Sequence, residues 1–359
     1  MISNENDVKD KGYEFLKEAK IILLCWKEEM SKLQRLWAWI IVNVYGSTIT
    51  IPSNEDILEE KKKRIEVLCQ TVGVPEPKMN AITKKLCEGE FKHYVLTYDN
   101  ILKMINIILN VRSNLSTVLM GETGCGKTAL IKYLACAIDT ELEAVDIHGG
   151  IDRTHIDEIV EKCKERLRSM ESTVESKENE FQRNPKEIWL FLDEFNTSPD
   201  IGWFNELICN RSLDGVKIPD EIKILAACNP YRKRKLSGQE KEWFGKDQLA
   251  QYAYRVFPLC ETVKVHLWQF GSLFELDERQ YILEMIKSRK KELNEPLQTM
   301  FDNEMSLIFE QICKSQKFVR TKLQDVAMVS LRDVERCLNI FVWLANRYFA
   351  NASNIRQCL

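Results

Sequence analysis

Residues Thr117–Leu134 read TVLMGETGCGKTALIKYL, and this stretch decides the fold. Its first four residues form an apolar run that predicts a strand, while apolar residues recur at helical spacing in TALIKYL. Between the two, GETGCGKT matches the pattern G-x-x-x-x-G-K-S/T. Glycines at such a junction let the backbone turn tightly and aim its N–H groups at phosphate oxygens. The stretch therefore predicts a phosphate-binding loop at the end of a strand in an α/β sheet.

This loop has the chemistry to bind ATP and Mg²⁺. Lys127 would reach the β- and γ-phosphates as a point charge, and Thr128 would supply a hydroxyl to the metal. The helix that begins there would point its positive dipole end at the phosphates. A chance glycine-rich turn is the alternative, but a strand before the loop and a helix after it are what nucleotide binding requires. The other residues predicted to line the nucleotide are Gly121, Glu122, Thr123, Gly124, Cys125 and Gly126.

Two acidic residues follow a second apolar run, IWLFL, at 188–192. In parallel sheets ligands gather at the carboxyl ends of strands, so these acids should lie beside the loop. Asp193 would bind Mg²⁺, directly or through water, and Glu194 would polarise the attacking water. Adjacent acids are common on protein surfaces, but a pair that ends an apolar run is far less so. A GTPase would more often show DxxG and N/TKxD motifs, and neither is present.

Three further residues are candidates for the same site. Asn229 ends the apolar run IKILAAC, where its amide could orient the lytic water; the alternative is that Asn-Pro simply starts a turn. Ser330 and Asp333 have capping-box spacing, which predicts a helix that presents Arg332 to a phosphate from its first turn. Arg255 could project toward the nucleotide of a neighbouring module. An ordinary surface arginine is the alternative for both arginines.

Composition is that of an ordinary soluble globular protein. The 359 residues are 45% hydrophobic and 29% charged, enough for two or three domains. A net charge of −3 gives no overall attraction to a polyanion, so nucleic acid is not an expected partner. The twelve cysteines never form C-x-x-C, so no zinc ribbon or RING-type site can be drawn, and their usage predicts a reducing cytosol or nucleus. The apolar run at 36–45 is too short for a transmembrane segment.

The chain divides into three predicted regions. Residues 1–90 read as a helical N-terminal segment, with helical periodicity over Tyr13–Trp39 and again over Glu55–Val72. In residues 91–262 strand-like and helical runs alternate, which predicts a parallel α/β nucleotide-binding domain. Residues 263–359 read as a helical lid. The five predicted strands are Ser116–Met120, Leu142–Ile147, Ile188–Leu192, Ile222–Cys228 and the weaker Arg255–Val265.

Together these motifs resemble those of an AAA+ ATPase module over about residues 93–350: Walker A, Walker B, sensor 1, sensor 2 and an arginine finger. They are most similar to the mysterin family, giant RING-finger E3 ubiquitin ligases with a dynein-like array of AAA+ units. The resemblance implies a P-loop NTPase (AAA+) fold, a five-stranded parallel sheet of order 5-1-4-3-2 sandwiched by helices. The phrases that carry it are YVLTYDNILKM, MGETGCGKT, VDIHGG, LDEFNTSPDIGWFNEL, RSLDG, AACNPYR, YRVFPL and SLRDVER.

By position, the resemblance implies roles for the candidate residues. Lys127 and Thr128 would bind nucleotide and metal, and Asp193 would bind Mg²⁺. Glu194 would be the catalytic carboxylate, with Asn229 as sensor 1. In the same way Arg332 would be sensor 2 and Arg255 an arginine finger. His148 belongs to the family phrase HGG, and no chemical role is predicted for it.

The resemblance also implies partners and a location. Neighbouring AAA+ units, in cis or in trans, and protein clients of a ubiquitin ligase are the implied partners. The parent protein is expected in the cytoplasm, in association with lipid droplets. Because the chain has one glycine loop of this pattern and no zinc-ligand spacing, it looks like a fragment covering one ATPase unit, without the ubiquitin-transfer elements.

Two alternatives to an ATPase stay open. The chain could be a nucleotide-gated structural module that binds ATP with negligible turnover, although such a module would not need Glu194. It could also be a protein-interaction subunit that uses residues 1–90 as its interaction arm.

Overall fold

The computed structural model describes residues 54–147, 153–172, 187–232, 254–271, 275–323 and 329–348, together with Tyr252 and Leu273. The predicted helix Tyr13–Trp39 and the loop residue His148 lie outside these residues. In the part described, none of the helices combines the length and the apolar character needed to span a bilayer.

Five parallel strands form the central sheet. They are β1 (Thr117–Met120), β2 (Glu141–Asp146), β3 (Ile188–Asp193), β6 (Ile222–Cys228) and β7 (Leu267–Gln269). Their order across the sheet is β2-β3-β6-β1-β7, with every neighbouring pair parallel. Numbered among themselves and viewed from the other edge, this is the expected order 5-1-4-3-2. The predicted fold class, an α/β fold with a five-stranded parallel sheet, is confirmed.

The predicted position of the fifth strand is wrong. The sequence favours Arg255–Val265, but that segment ends in a one-turn helix, α7 (Glu261–Lys264), and the strand β7 follows it. Val263 lies in this helical turn, and Val265 directly after it is 84% exposed. β7 itself is three residues at a sheet edge, too short and too incompletely buried to give an apolar run. β7 lies after residue 262, where the sequence predicts the boundary between the α/β domain and the helical lid; that boundary stays a prediction.

Helices cover both faces of the sheet. The buried residues of β3 alternate between the two sides, with Trp189 and Phe191 facing one core and Leu190 and Leu192 the other. This alternation explains the uninterrupted apolar run, because a strand covered on both faces has no polar side. On the Trp189 side lie α1 (Asn54–Val72), α2 (Glu76–Glu88), α3 (Tyr98–Arg112) and α4 (Lys127–Ala137); on the Leu190 side lie α5 (Arg153–Ser172) and α6 (Ile201–Asn205).

Helices α1 and α2 come from the region predicted as a separate helical segment. Their buried residues, such as Ile65 of α1 and Leu86 of α2, belong to the same cluster as Leu119 of β1 and Leu134 of α4. Residues 54–88 are therefore packed into the core of the α/β sheet. The division of the chain at residue 90 stays a prediction about domain organisation.

A small hairpin precedes β6, the strand that ends directly before Asn229. Helix α6 continues into a π-helical turn, Glu206–Asn210, and then into β4 (Ser212–Leu213) and β5 (Val216–Lys217). Asp214 and Gly215 at its tip have φ of 47° and 80°, which is the two-residue turn that suits the twist of a hairpin. The Glu206 carboxylate accepts hydrogen bonds from Ser212 Oγ and Gly215 N, at 2.8 and 2.9 Å, and so ties the hairpin to the preceding turn.

Three helices after the sheet form a second core. They are α8 (Glu275–Arg289), α9 (Glu295–Leu323) and α10 (Leu331–Tyr348). As the sequence predicts, α10 starts at a capping box, in which Ser330 N donates to Asp333 Oδ2 at 2.9 Å. The predicted apolar face of α10, with Val334, Leu338 and Phe341, is buried in this second core.

A buried ion pair fixes the start of α10. The Arg320 guanidinium of α9 donates to both carboxylate oxygens of Glu278 of α8, each at 2.7 Å, and its Nε donates to Val329 O at 3.0 Å. Gln316 Nε2 donates to the same carboxylate at 3.0 Å. Glu278 is 9% exposed, so its charge depends on these partners. The contacts join α8, α9 and the residue that precedes the capping box of α10.

Replacing Arg320 should therefore destabilise the helical part strongly. We expect Arg320→Met to lower the free energy of unfolding by about 3–5 kcal/mol, because it leaves the Glu278 carboxylate buried without its cation. The matched control is Lys317→Met on the same helix, whose pair with Glu275 is about three-quarters exposed on both sides and should contribute less than about 1 kcal/mol. Urea denaturation measures both variants. Equal losses would contradict the role assigned to the buried pair.

Candidate functional site

The glycine loop runs from the end of β1 to the start of α4. Gly124 and Gly126 have φ of 80° and 91°, in the left-handed region that favours glycine. A Cβ added to Gly124 would lie 2.8 Å from the Cβ of Ser330, so this position also lacks room for a side chain. A Cβ added to Gly126 would meet no heavy atom within 4 Å. The loop thus leaves open space at Gly126, directly before the N-terminus of α4; the first N–H groups of a helix have no partner within the helix, so they can bind an anion.

Lys127 is enclosed by the loop that it follows. Its side chain is buried, and its ammonium donates to the carbonyl oxygens of Gly121 and Glu122, at 2.6 and 3.1 Å. Asn229 Oδ1 lies 3.4 Å from the same nitrogen. The positive charge is therefore held inside the curve of the loop, beside the end of β6, where it can attract an anion that enters the loop.

Thr128 and Asp193, both predicted metal ligands, are in direct contact. The Thr128 hydroxyl, in the first turn of α4, donates a hydrogen bond to Asp193 Oδ2 at the end of β3. Burial raises the pKa of Asp193; the bond from Thr128 opposes the rise, and the charge of Glu194 adds to it. A hydroxyl and a carboxylate, completed by phosphate and water oxygens, form a ligand set that Mg²⁺ accepts. The residues present therefore fit the metal.

Glu194 stands at a sharp turn of the backbone. Its φ and ψ are 53° and 31°, the left-handed region that residues other than glycine seldom adopt. Its N–H donates to Asp193 Oδ1 at 3.1 Å, and its carbonyl accepts from Thr197 N at 2.9 Å, which closes a short 3₁₀ turn, Phe195–Thr197. The turn takes the chain away from the line of β3 directly after the two acids. Strained backbone of this kind is frequent at functional sites.

Asn229 and Arg332 are both brought to the loop. Asn229 follows β6 and is buried, with Oδ1 3.4 Å from Thr123 Oγ1 as well as from the Lys127 ammonium. Arg332 lies in the first turn of α10, where its Cβ is 3.9 Å from a Cβ added to Gly124. Arg332 is exposed, and it forms no ion pair with the described part of the chain. An anion in the loop would thus find Arg332 beside it.

Arg255 is exposed, and the residue before it contacts the loop. The residue before it, Tyr254, donates its hydroxyl to Glu122 Oε2 at 2.5 Å and accepts from Thr123 N at 3.4 Å. Burial raises the pKa of Tyr254, and the hydrogen bond to Glu122 raises it further. On the other side of the same carboxylate, Arg232 Nε is 3.7 Å from Glu122 Oε1. Glu122 is therefore held by residues on both sides of the 233–250 segment.

Sequence reasoning missed three residues of this site. Asn196, in the 3₁₀ turn, bonds through its side-chain amide to the backbone of Asn229. Tyr254 holds Glu122, and Phe270, directly after β7, has its Cβ 3.1 Å from a Cβ added to Gly121. Asn196 and Tyr254 lie inside the phrases LDEFN and YRVFPL, so predicted site residues next to them in sequence already indicated these segments. The only available signal for Phe270 is its position after the true fifth strand.

Known proteins match this chain in the region that forms the sheet and the loop. Residues 94–232 match the family model described as "RNF213 AAA domain". The chain is 32% identical over 318 residues to the human E3 ubiquitin-protein ligase RNF213, and 31% identical over 315 residues to E3 ubiquitin-protein ligase rnf213-beta of Danio rerio. These alignments cover 82% and 77% of the chain, but in each case 6% of the relative. A mouse RNF213 is similar, at 32% identity over 304 residues.

The matches confirm the resemblance to mysterin-like proteins. An AAA domain fits the P-loop NTPase fold expected from the glycine loop, and the parallel sheet of the structure agrees with it. The chain spans a small fraction of the length of the curated relatives, consistent with one piece of such a protein. Residues 94–232 thus match the RNF213 AAA domain, and most of the chain is similar to a stretch of RNF213 proteins.

Proposed function

We propose that this chain is an Mg²⁺-dependent ATPase unit, which binds ATP in the glycine loop and hydrolyses its β–γ phosphoanhydride. The observation that carries the proposal is the hydrogen bond between Thr128 and Asp193. It joins the first helical turn after the loop to the acid that ends β3, two strands away in the sheet. A hydroxyl and a carboxylate in contact beside a phosphate-binding loop are what a metal–triphosphate complex requires.

Each residue of the site then has a part in hydrolysis. Lys127 would exchange the carbonyl oxygens of Gly121 and Glu122 for phosphate oxygens. Thr128 and Asp193 would hold Mg²⁺, which neutralises charge that develops on the phosphates. Glu194 would orient the attacking water and accept its proton. Asn229 would contact the γ-phosphate or that water, and Arg332 would add positive charge from the lid.

The setting of this activity is also a proposal. The curated relatives are named as E3 ubiquitin-protein ligases, and the chain covers about 6% of the human one. We propose that ATP hydrolysis drives conformational change inside a larger ligase of this kind, whose clients are proteins. Its location would be the cytoplasm, in association with lipid droplets. Ubiquitin transfer itself is assigned to no residue of this chain.

Lys127→Ala tests nucleotide binding. We expect the Kd for Mg²⁺·ATP to rise about 10- to 100-fold, because a charge-assisted contact to the phosphates is lost. Isothermal titration calorimetry measures the Kd. Lys132→Ala is the matched control, since Lys132 is an exposed lysine on the same helix and should leave the Kd unchanged. An unaltered Kd in Lys127→Ala would refute the assignment of the loop.

Glu194→Gln tests hydrolysis separately from binding. We expect the Kd for ATP to stay within a few-fold and kcat to fall by a factor of about 10²–10⁴, the range for loss of a positioned base. Phosphate release under steady-state and single-turnover conditions measures kcat. Glu221→Gln, an exposed acid at the start of β6, is the control and should keep full activity. If the wild-type chain binds ATP but turns over none, the nucleotide-gated module becomes the better description.

Arg255→Ala tests whether a neighbouring unit completes the site. We expect the specific rate of the wild-type chain to rise with protein concentration, and Arg255→Ala to lose turnover while it keeps ATP binding. An arginine supplied by a neighbour contributes a factor of about 10³–10⁵ in phosphoryl transfer of this type. Mixing Arg255→Ala with Glu194→Gln should restore activity, because each variant supplies what the other lacks. Absence of rescue at all mixing ratios would exclude a finger role for Arg255.

A further inference from the structure

The side chain of Asn196 takes the place of a missing strand beside Asn229. Strands β3 and β6 pair in parallel as far as Leu192 and Ala226, and β3 ends at Asp193. The turn at Glu194 then removes the β3 backbone, so that Asn229 has no strand neighbour on that side. Asn196 Nδ2 donates to Asn229 O at 2.9 Å, and Asn196 Oδ1 accepts from Asn229 N at 3.2 Å. One side-chain amide thus pairs both backbone groups of Asn229.

The pairing is buried and links three segments of the site. Asn196 and Asn229 are 1% and 3% exposed, so water cannot replace either bond. The backbone carbonyl of Asn196 accepts from Phe257 N at 2.7 Å, which holds the segment that follows Arg255. Asn196 also lies in the turn that begins at Glu194. The same residue therefore contacts the end of β6 and the approach to Arg255, next to the acidic turn.

The Asn229 backbone determines where the Asn229 side chain points. Its Oδ1 lies 3.4 Å from the Lys127 ammonium and 3.4 Å from Thr123 Oγ1, both in the glycine loop. If the peptide groups of Asn229 lost their partner, the backbone after β6 could rotate and carry this amide away from the loop. Only asparagine has a donor and an acceptor at this length; aspartate lacks the donor, and glutamine adds a methylene to a buried position.

We propose that Asn196 is a positioning residue of the ATPase site: its amide holds the backbone of Asn229 so that the Asn229 side chain meets the glycine loop. This inference rests on the proposed function, because the group it positions acts on nucleotide. Asn196 itself contacts the Asn229 backbone and touches no loop residue through the bonds described. The bond to Phe257 uses the Asn196 backbone, which a side-chain substitution keeps, so we expect loss of the amide to act on turnover through Asn229.

A double-mutant cycle separates this role from a purely structural one. The wild type, Asn196→Ala, Asn229→Ala and the double variant are compared in kcat, in the Kd for Mg²⁺·ATP and in Tm. Asn229→Ala removes the side chain that meets the loop but keeps the backbone groups that Asn196 holds. We expect Asn196→Ala to lower kcat about 10- to 100-fold in the wild type, as loss of an orienting partner does, and to have no further effect on kcat in Asn229→Ala. Its effect on Tm should be the same in both backgrounds.

Asn346 supplies a matched control for the loss of such an amide. Its Nδ2 donates to Glu292 O at 2.7 Å and its Oδ1 accepts from Asn294 N at 3.0 Å, so this amide also bonds one backbone donor and one backbone acceptor, here of two residues in the helical part. Asn346→Ala should lower Tm and leave kcat unchanged. If Asn196→Ala fails to fold, Asn196→Ser, which keeps one hydrogen-bonding group, takes its place in the cycle.

The outcomes distinguish failure of this inference from failure of the proposed function. Losses in kcat that multiply in the double variant, or an unchanged kcat in Asn196→Ala, would overturn the positioning role while the wild type still hydrolyses ATP. If the wild type binds ATP without turnover, the Kd for Mg²⁺·ATP replaces kcat in the cycle. We then expect Asn196→Ala to raise the Kd in the wild type and to have no further effect on it in Asn229→Ala. A wild-type chain that neither binds nor hydrolyses ATP overturns the proposed function, and the positioning role with it.

Discussion

The parallel pairing of β6 with β3 on one side and with β1 on the other is the constraint on which the site depends. Because parallel strands end at the same edge of a sheet, Gly121 after β1, Asn229 after β6 and Asp193 at the end of β3 lie side by side. Both faces of these three strands are buried, so apolar packing helps to fix their register. The packing of the strands therefore sets the positions of the polar groups at this edge.

The site is then completed by contacts that the sheet alone would not provide. The hydrogen bond from Thr128 to Asp193 crosses the width of β6, and Asn196 and Tyr254 reach the site from irregular segments that follow β3 and precede α7. The helical part formed by α8, α9 and α10 contributes through Ser330 and Arg332, whose place depends on the buried pair of Glu278 and Arg320. The sheet thus fixes where the strand ends lie, while the loops and the C-terminal helices supply most of the polar contacts of the site.

Much of this could be predicted from the sequence, because the decisive signals are local. The glycine pattern, the acids that end IWLFL and the capping box of α10 each occupy a few consecutive residues, and the structure has them in the expected places. The fifth strand could not be placed from the sequence, since β7 has only three residues and lies at an edge of the sheet. Its contacts with β1 make it a strand, and its sequence has no pattern of apolar residues long enough to predict one. Asn196 and Tyr254 were missed for a related reason. Their partners, Asn229 and Glu122, are distant in sequence, and a lone Asn or Tyr carries no spacing that indicates such a partner.

The contact between Gly124 and Ser330 has a mechanical consequence. Ser330, directly before α10, approaches the loop at a position that has no room for a Cβ, so only its short side chain would pass a displacement of the loop backbone to the start of α10. With 18 residues, α10 is about 27 Å long. A tilt of about 10° about its loop end would therefore move its far end by about 5 Å.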